Sequence, residues 1–178
     1  MTKILIIYAH PNPQKSRLNK QLAFAARTLD FVTVHDLYQH YPDFDIDVAH
    51  EQALLDKADV VVFQHPIYWY SCPSLMKEWL DLVLHNGYAY GKGGDQLTGK
   101  RWLSAISTGA DQSAYKSDGS HGHELDQFLL PFKQTAHYCA MTFLPPFISH
   151  QARQLNDAGI QQQAQQYKTL LNNLYVQL

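Results

Sequence analysis

The sequence predicts an α/β fold in which a parallel sheet is covered by helices on both faces. Short apolar runs alternate with amphipathic segments along the 178 residues. The apolar runs are nearly continuous, as in strands that are buried on both faces of a sheet, and the amphipathic segments repeat with a helical period. Such alternation is typical of βαβ units joined by right-handed crossovers.

Composition limits the class of protein. With 46% hydrophobic and 17% charged residues, the chain suits one domain that spans residues 1–178. The net charge of −2 and the dispersed basic residues argue against a nucleic-acid partner. We find no signal peptide and no run near the roughly 20 apolar residues of a membrane span, which predicts a cytoplasmic protein. Cys72 and Cys139 fit no metal or redox motif and are interpreted as free thiols.

Five strands are predicted from apolar and β-branched runs. The fifth is short and is expected to end at the prolines of "MTFLPPF". The other four are Lys3–Ala9, Phe31–Leu37, Asp59–His65 and Arg101–Ser107.

Five helices are predicted from the spacing of apolar residues. Ser16 is a candidate N-cap for the first, whose stripe runs from Leu18 to Leu29. The fourth is expected to carry Pro131 near its start. The last is a long amphipathic helix that reaches Leu178. The remaining predicted bounds are Asp47–Ala58, Ser74–Leu84, with Leu82 among its apolar positions, and Leu125–Thr142.

Ligands of such sheets bind at the carboxyl ends of the strands, where the strand order reverses. The first loop to consider, His10–Asn19, lacks both the Walker and the dinucleotide-binding glycine motifs. Ser16 nevertheless opens a helix, and helix N-termini bind phosphate through free backbone N–H groups. The alternative is that Ser16 is a simple helix cap.

Two further loops follow the third and fourth strands. His65–Pro73 contains three consecutive aromatic residues, which form either a plug under neighbouring loops or an apolar wall against a planar ring. In Ser107–Glu124, Tyr115 and His121 are close enough in sequence to reach one ligand. The "HGH" motif in this loop lacks a carboxylate or thiolate partner, and no metal is predicted.

Four segments carry a resemblance to a known family: "YAHPNPQKSRLN", "FQHPIYWYSCPSLMKEWLD", "GYAYGKGG" with "LTGK" after it, and "STGADQSAYKSDGSHG". Together they resemble the flavin-dependent NAD(P)H:quinone oxidoreductases of the flavodoxin-like fold, the DT-diaphorase type. "VTVHDLYQHYPDFDID" and the aromatic loop are most similar to bacterial ancillary proteins of glutathione-regulated potassium efflux systems. The resemblance implies a doubly wound five-stranded sheet in the order 2-1-3-4-5.

The resemblance also implies roles for individual residues. Tyr115 and His121 match the pair beside the N1–C2=O edge of the flavin, where hydrogen-bond donors would stabilise negative charge. The residues that match the segment for the flavin phosphate and ribityl chain are His10, Ser16, Arg17, Leu18 and Asn19. Those that match the two loops along the isoalloxazine ring are Pro66, Ile67, Tyr68, Trp69 and Tyr70, then Ser107, Thr108, Gly109 and Ala110.

This chain departs from the family at two of these positions. Ala110 replaces a usual second glycine, which would cost about 1 kcal/mol or more if the backbone there required a positive φ. Tyr68 replaces a Gln of the larger members, which alters the pocket for nicotinamide or quinone. Some of the potassium-efflux ancillary proteins lack the Tyr or the His of the pair, whereas this chain has both Tyr115 and His121, which favours an intact reductase site.

The function implied is that of an NAD(P)H dehydrogenase that reduces quinones by two-electron hydride transfer through a flavin, with ping-pong kinetics. FMN is favoured over FAD because so short a chain has little extra loop to hold an adenosine. The resemblance also implies a homodimer, with the active site near the interface. The alternative function is regulatory: an ancillary subunit that docks on a potassium efflux transporter at the inner membrane, with incidental redox activity. One-electron carriage as in flavodoxins would not need Tyr115 and His121.

Overall fold

The computed structural model describes residues 3–178. Its sheet is parallel in the order β2-β1-β3-β4-β5, and β6 pairs with β4 beyond the end of β5. This confirms the predicted fold class and strand order. The strands are β1 Ile4–Tyr8, β2 Val32–Asp36, β3 Val60–Pro66, β4 Arg101–Ser107, β5 Thr142–Phe143 and β6 Phe147–Ser149. The helices are α1 Arg17–Ala26, α2 Leu37–His40, α3 Val48–Asp56, α4 Ser74–Val83, α5 Leu125–Tyr138 and α6 Asp157–Val176.

Both faces of the sheet are covered, as the apolar runs predict. Successive side chains of a strand point to opposite faces. Leu5 and Ile7 therefore belong to a core that includes Trp79 of α4, whereas Ile4 and Ile6 belong to a second core with α1 and α6. Each of these four β1 side chains is 0% exposed. The core thus fixes the strands, and their carboxyl ends emerge together at one edge.

The fifth strand is short and ends just before Pro145 and Pro146, as predicted, but a sixth strand beyond the prolines was not predicted. β5 pairs with Arg101 and Trp102, and after Pro145 and Pro146 the chain returns as β6 beside residues 105–107 of β4. Proline lacks an N–H group and cannot continue a ladder of hydrogen bonds, so it interrupts the strand. Because pairing resumes afterwards, β6 carries the chain to the carboxyl edge of β4, and its following loop joins the site.

Several predicted helix features also differ from the structure. α1 ends at Ala26, although Leu29 beyond it is buried. Pro131 lies inside α5, which ends at Tyr138 rather than Thr142, two residues before Ala140 turns to a left-handed φ of 55°. The apolar patterns locate the buried faces but not the helix ends. Two predicted stripe residues, Leu82 in α4 and Leu178 beyond α6, are 40% and 47% exposed.

Candidate functional site

A cleft of about 820 Å³ lies at the carboxyl edge of the sheet. It is formed by the loops after β1, β3 and β4, as predicted, together with the loop after β6. Another cleft, of about 510 Å³, lies between α5 and residues 143–146 and contains none of the predicted site residues. The larger cleft is lined by His10, Asn12, Lys15, Ser16, Arg17, Leu18, Asn19, Ile67, Tyr68, Trp69, Ser107, Thr108, Gly109, Ala152 and Arg153.

Ser16 occupies the N-cap position of α1, but its side chain does not cap the helix. The hydroxyl is buried and makes no hydrogen bond of normal geometry among residues 3–178, although it lies close enough to the Tyr8 hydroxyl to oppose the rise that burial causes in the Tyr8 pKa. The first N–H groups of a helix also lack partners within the helix, and the helix dipole is positive there. Of the two interpretations of Ser16, simple capping is therefore wrong. The start of α1 presents uncommitted donors to the cleft.

Asn19 ties the start of α1 to the ends of two strands. Its Nδ2 donates to Oγ of Ser107 at 2.7 Å, and Nε2 of Gln64 donates to the Asn19 carbonyl at 2.9 Å. All three residues are buried. The Asn19 and Gln64 side-chain oxygens have no partner in the part of the chain that the structure describes. Gln64 was not predicted as a site residue because it lies inside a strand.

The aromatic loop after β3 is a tight turn. Tyr68 and Ser71 exchange backbone hydrogen bonds of 3.2 and 3.0 Å, while Trp69 and Tyr70 have φ values of 47° and 64°. These angles are typical of a type I′ turn, and each non-glycine residue there costs about 1–2 kcal/mol. The turn leaves Trp69 91% exposed. This part of the loop is therefore not a buried plug, and Ile67 and Tyr68 beside it line the cleft.

Backbone hydrogen bonds join the loops after β4 and β6. Thr108 donates to the Ser149 carbonyl and accepts from the Ala152 N–H, both at 2.9 Å, and the Gln151 N–H donates to the Ala110 carbonyl at 3.1 Å. Gly109 lines the cleft, and a Cβ added to it would meet no atom within 4 Å. The absence of a side chain at Gly109 thus leaves space for a ligand.

Ala110 does not have a positive φ, unlike Gln151, which has a φ of 53°. The backbone strain considered for alanine at this position is therefore absent. Ala110, Pro66 and Tyr70, although predicted as cofactor-binding residues, do not line the cleft itself. They lie next to residues that do.

Tyr115 and His121 come together as a ring pair with centroids 4.5 Å apart. Tyr70 and Phe128 lie around them, with the Tyr70 ring 5.6 Å from that of His121 and the Phe128 ring 6.1 Å from that of Tyr115. Burial raises the pKa of the Tyr115 hydroxyl, with Thr108 opposing the shift, so the phenol stays protonated near neutral pH. The pair does not line the cleft, but Thr108, beside Tyr115, does.

His121 Nε2 is buried and has no hydrogen-bond partner among residues 3–178. Its backbone is fixed because the His121 N–H donates to the Ala114 carbonyl at 3.1 Å. The loop thus holds two polar groups, the Tyr115 phenol and the His121 ring, against the aromatic turn.

The lining of the cleft is cationic, although the chain has a net charge of −2. It includes Lys15, Arg17 and Arg153 and contains no carboxylate. Burial, with a smaller effect from the charge of Arg153, lowers the pKa of His10, whose Nδ1 accepts a hydrogen bond from the Asn12 N–H at 3.1 Å. A cleft of this composition suits a ligand with an anionic group.

Four lining residues were missed from the sequence: Asn12, Lys15, Ala152 and Arg153. Asn12 and Lys15 lie inside the predicted loop His10–Asn19 and could have been included with it. Arg153 carried no signal, because the prediction ended the sheet at the prolines and left nothing to bring residue 153 to this edge.

Comparison with known proteins identifies the family. Residues 2–171 match the family model described as flavodoxin-like fold. The chain belongs to this family. A KefG protein, the glutathione-regulated potassium-efflux system ancillary protein of Pectobacterium atrosepticum, is 50% identical over 171 residues, which cover 96% of this chain and 93% of that protein.

Two solved structures are also similar. General stress protein 14 of Treponema denticola, in complex with FMN, is 43% identical with a TM-score of 0.91, over 97% of this chain and 99% of that chain. An NADPH-quinone reductase from P. pentosaceus is 30% identical with a TM-score of 0.86, over 95% and 97% of the two chains. Among residues 3–178, no helix has both the length and the apolar character needed to span a membrane.

Proposed function

We propose that this protein is an FMN-dependent NAD(P)H:quinone oxidoreductase. The observation that carries the proposal is the uncapped start of α1, where Ser16, Arg17 and Leu18 line a cleft whose lining includes cations and no carboxylate. A helix N-terminus with free donors is a phosphate site. The similarity to an FMN complex and to an NADPH-quinone reductase supports this assignment.

The residues present fit FMN. The phosphate would be held by the N–H groups of Arg17 and Leu18 and by the Ser16 hydroxyl. The ring would lie along the two loops that carry Tyr68 and Gly109, since a Cβ at Gly109 would enter open space. The remaining proposed cofactor-binding residues are His10, Asn19, Pro66, Ile67, Trp69, Tyr70, Ser107, Thr108, Ala110 and Tyr115. FAD is the alternative cofactor, to be separated by analysis of the flavin that co-purifies.

Bound FMN would supply the hydride chemistry. NAD(P)H would give up a hydride and leave as NAD(P)⁺, and a quinone would take up that hydride and a proton to form the hydroquinone. Tyr115 and His121 are the proposed catalytic residues. The phenol of Tyr115 is a hydrogen-bond donor at neutral pH, and burial raises its pKa further above that range. Donors that are fixed before the reaction stabilise developing negative charge without reorganisation.

The test is to purify the protein, identify its flavin and follow NAD(P)H oxidation with and without a soluble quinone. FMN in the protein and quinone-dependent turnover are expected. Because both substrates would use one cleft in turn, initial-rate lines at varied NADPH and quinone should be parallel. Intersecting lines would contradict the ping-pong scheme, and a protein that binds no flavin would overturn the function.

A second function, regulation of a potassium efflux transporter, is favoured by the KefG relatives. We propose that the protein docks on such a transporter at the cytoplasmic side of the inner membrane. The matched test uses Gly109→Val, which should fill the flavin space and remove reductase activity. If this variant still restores potassium efflux in cells that lack the endogenous ancillary protein, regulation is independent of redox activity. Failure of wild-type protein to restore efflux would contradict this second function.

We also propose that the protein forms a homodimer. Trp69, Tyr70 and Leu82 are 91%, 47% and 40% exposed, and apolar side chains of this size are expected at an interface near the cleft. Sedimentation equilibrium should give twice the 20.4 kDa chain mass. A monomer at micromolar concentration would contradict this part of the proposal.

A further inference from the structure

Arg153 is placed in the cleft by a well-braced loop between β6 and α6. On one side, the Ala152 N–H donates to the Thr108 carbonyl at 2.9 Å. On the other, the Gln154 N–H donates to the Gln151 carbonyl at 2.8 Å, and Gln151 has a left-handed φ of 53°. The backbone on both sides of Arg153 is thus fixed, and its side chain lines the cleft.

The permanent cations of the cleft differ in what they contact. Arg17 donates to Oδ1 of Asp157 at 2.6 Å and to the Leu155 carbonyl at 3.1 Å, and thereby joins the starts of α1 and α6. The side chains of Arg153 and Lys15 make no hydrogen bond or ion pair within residues 3–178. The cleft therefore holds two cationic side chains with no anionic partner, and its lining residues include no carboxylate.

The charge of Arg153 also affects His10, another residue that lines the cleft. After burial, which is the larger cause, it contributes to lowering the pKa of His10. Like charges that face one cavity repel one another, and an anion placed between them removes that repulsion. A guanidinium presents a fork of N–H donors that matches the oxygens of a phosphate.

We propose that Arg153 determines specificity for a phosphate monoester in this cleft, with Lys15 as the second cation of the same subsite. The inference rests on the proposed function, because it names the anionic group of that site's ligands. Two ligands carry such a group: FMN, in its terminal phosphate, and NADPH, in its 2′-phosphate. Riboflavin and NADH are the matched compounds that lack it.

The experiment measures dissociation constants of FMN and riboflavin for wild type, Arg153→Gln and Arg153→Lys, and KM values for NADPH and NADH on the FMN-saturated proteins. Arg101→Gln is the control, because it removes one cation at the opposite end of β4. Arg153→Gln should raise the dissociation constant of FMN or the KM for NADPH by roughly 10- to 100-fold, as for loss of a charge-assisted hydrogen bond. The dissociation constant of riboflavin and the KM for NADH should stay within about 2-fold of the wild-type values. Arg153→Lys should retain part of the preference.

A loss confined to FMN assigns the subsite to the flavin phosphate, and a loss confined to NADPH assigns it to the 2′-phosphate. Unchanged FMN-to-riboflavin and NADPH-to-NADH ratios in Arg153→Gln would overturn the inference while leaving the proposed function intact. If the wild type binds neither flavin, the proposed function fails. Inorganic phosphate then decides the inference: it should raise the melting temperature of wild type and not that of Arg153→Gln, and equal shifts would overturn it.

Discussion

The protein contains two buried polar clusters, one around Glu51 and one at the cleft, which differ in whether their hydrogen-bonding atoms have partners. Glu51 is 0% exposed, and its carboxylate lies 2.7 Å from Nε2 of His35 and accepts from Trp79 at 2.7 Å and from the Tyr41 hydroxyl. In the cleft, by contrast, the hydroxyl of Ser16 makes no hydrogen bond of normal geometry within residues 3–178, and only the Tyr8 hydroxyl lies beside it. Buried polar groups are normally paired, so an unpaired one at an open cleft indicates where a ligand binds, and a saturated network indicates stability.

The Glu51 cluster also offers donor atoms to a metal. Those of His35, His50 and Glu51 lie within 4.8 Å of one another. Both oxygens of Glu51 are, however, already used by His35, Tyr41 and Trp79. The cluster joins β2, α3 and α4, and we therefore assign it a role in the stability of the fold.

The largest expected effect comes from breaking the saturated cluster. Glu51→Gln replaces one carboxylate oxygen with an NH₂ group, which faces either Trp79 or the pair His35 and Tyr41, and it removes the buried charge. We expect the free energy of unfolding to fall by roughly 3–5 kcal/mol, as for removal of one member of a buried pair. Chemical denaturation followed by circular dichroism measures this change, and Glu78→Gln, on the exposed face of α4, is the matched control.

The same pair of proteins gives a pH test. Burial alone would raise the pKa of Glu51, but its hydrogen bonds to His35, Tyr41 and Trp79 outweigh burial and hold it below 4.5. A carboxyl with a lowered pKa stabilises the fold above its unfolded pKa, and this stabilisation is lost as the pH falls through the folded pKa. The stability difference between wild type and Glu51→Gln should be constant above about pH 5.5 and shrink in acid. A difference that grows in acid would contradict the assignment.

The second prediction concerns the ring pair beside the cleft. If Tyr115 and His121 act as donors to developing charge, Tyr115→Phe and His121→Ala should each raise the barrier of turnover by roughly 1–3 kcal/mol, a loss of about 5- to 150-fold. Flavin content should stay the same. Tyr138→Phe, 64% exposed on α5, serves as the control. Unchanged turnover in both variants would remove the pair from the proposed site.

Sequence reasoning recovered the parts of the fold that local patterns encode. The strand Arg101–Ser107 was predicted with its observed bounds because its run is apolar and bounded by polar residues. The helix predicted as Asp47–Ala58 was found, but nothing in its sequence pattern indicated that Glu51 is buried beside Leu55. From sequence alone, a carboxylate is predicted to lie at the surface. Its burial can be predicted only when its hydrogen-bond partners, which are distant in sequence, are known. The position of Arg153 likewise depends on the pairing of β6 with β4, which no local sequence pattern predicts.

The third prediction compares two helix starts. Asp47 caps α3 by accepting from the His50 N–H at 3.0 Å, whereas Ser16 makes no such bond to α1. Asp47→Ala should cost about 1 kcal/mol of stability and leave FMN binding unchanged. Ser16→Ala should leave the free energy of unfolding within about 0.5 kcal/mol and weaken FMN by roughly 10-fold. Thermal unfolding and flavin titration of both variants measure this, and a reversed pattern would contradict the comparison.

The smallest expected effect lies at Ala110, where relatives were expected to have a glycine. Ala110 does not have a positive φ, so Ala110→Gly relieves no strain and should cost about 0.4–1 kcal/mol by loosening the unfolded chain. Trp69, with a φ of 47°, is the opposite case, and Trp69→Gly should be neutral or gain up to about 1 kcal/mol. Melting temperatures measured by circular dichroism distinguish the two signs. A gain of stability or of FMN affinity in Ala110→Gly would mean that the alanine strains the loop or hinders the ligand, and the cleft would then be less well adapted to its ligand than its open donors indicate.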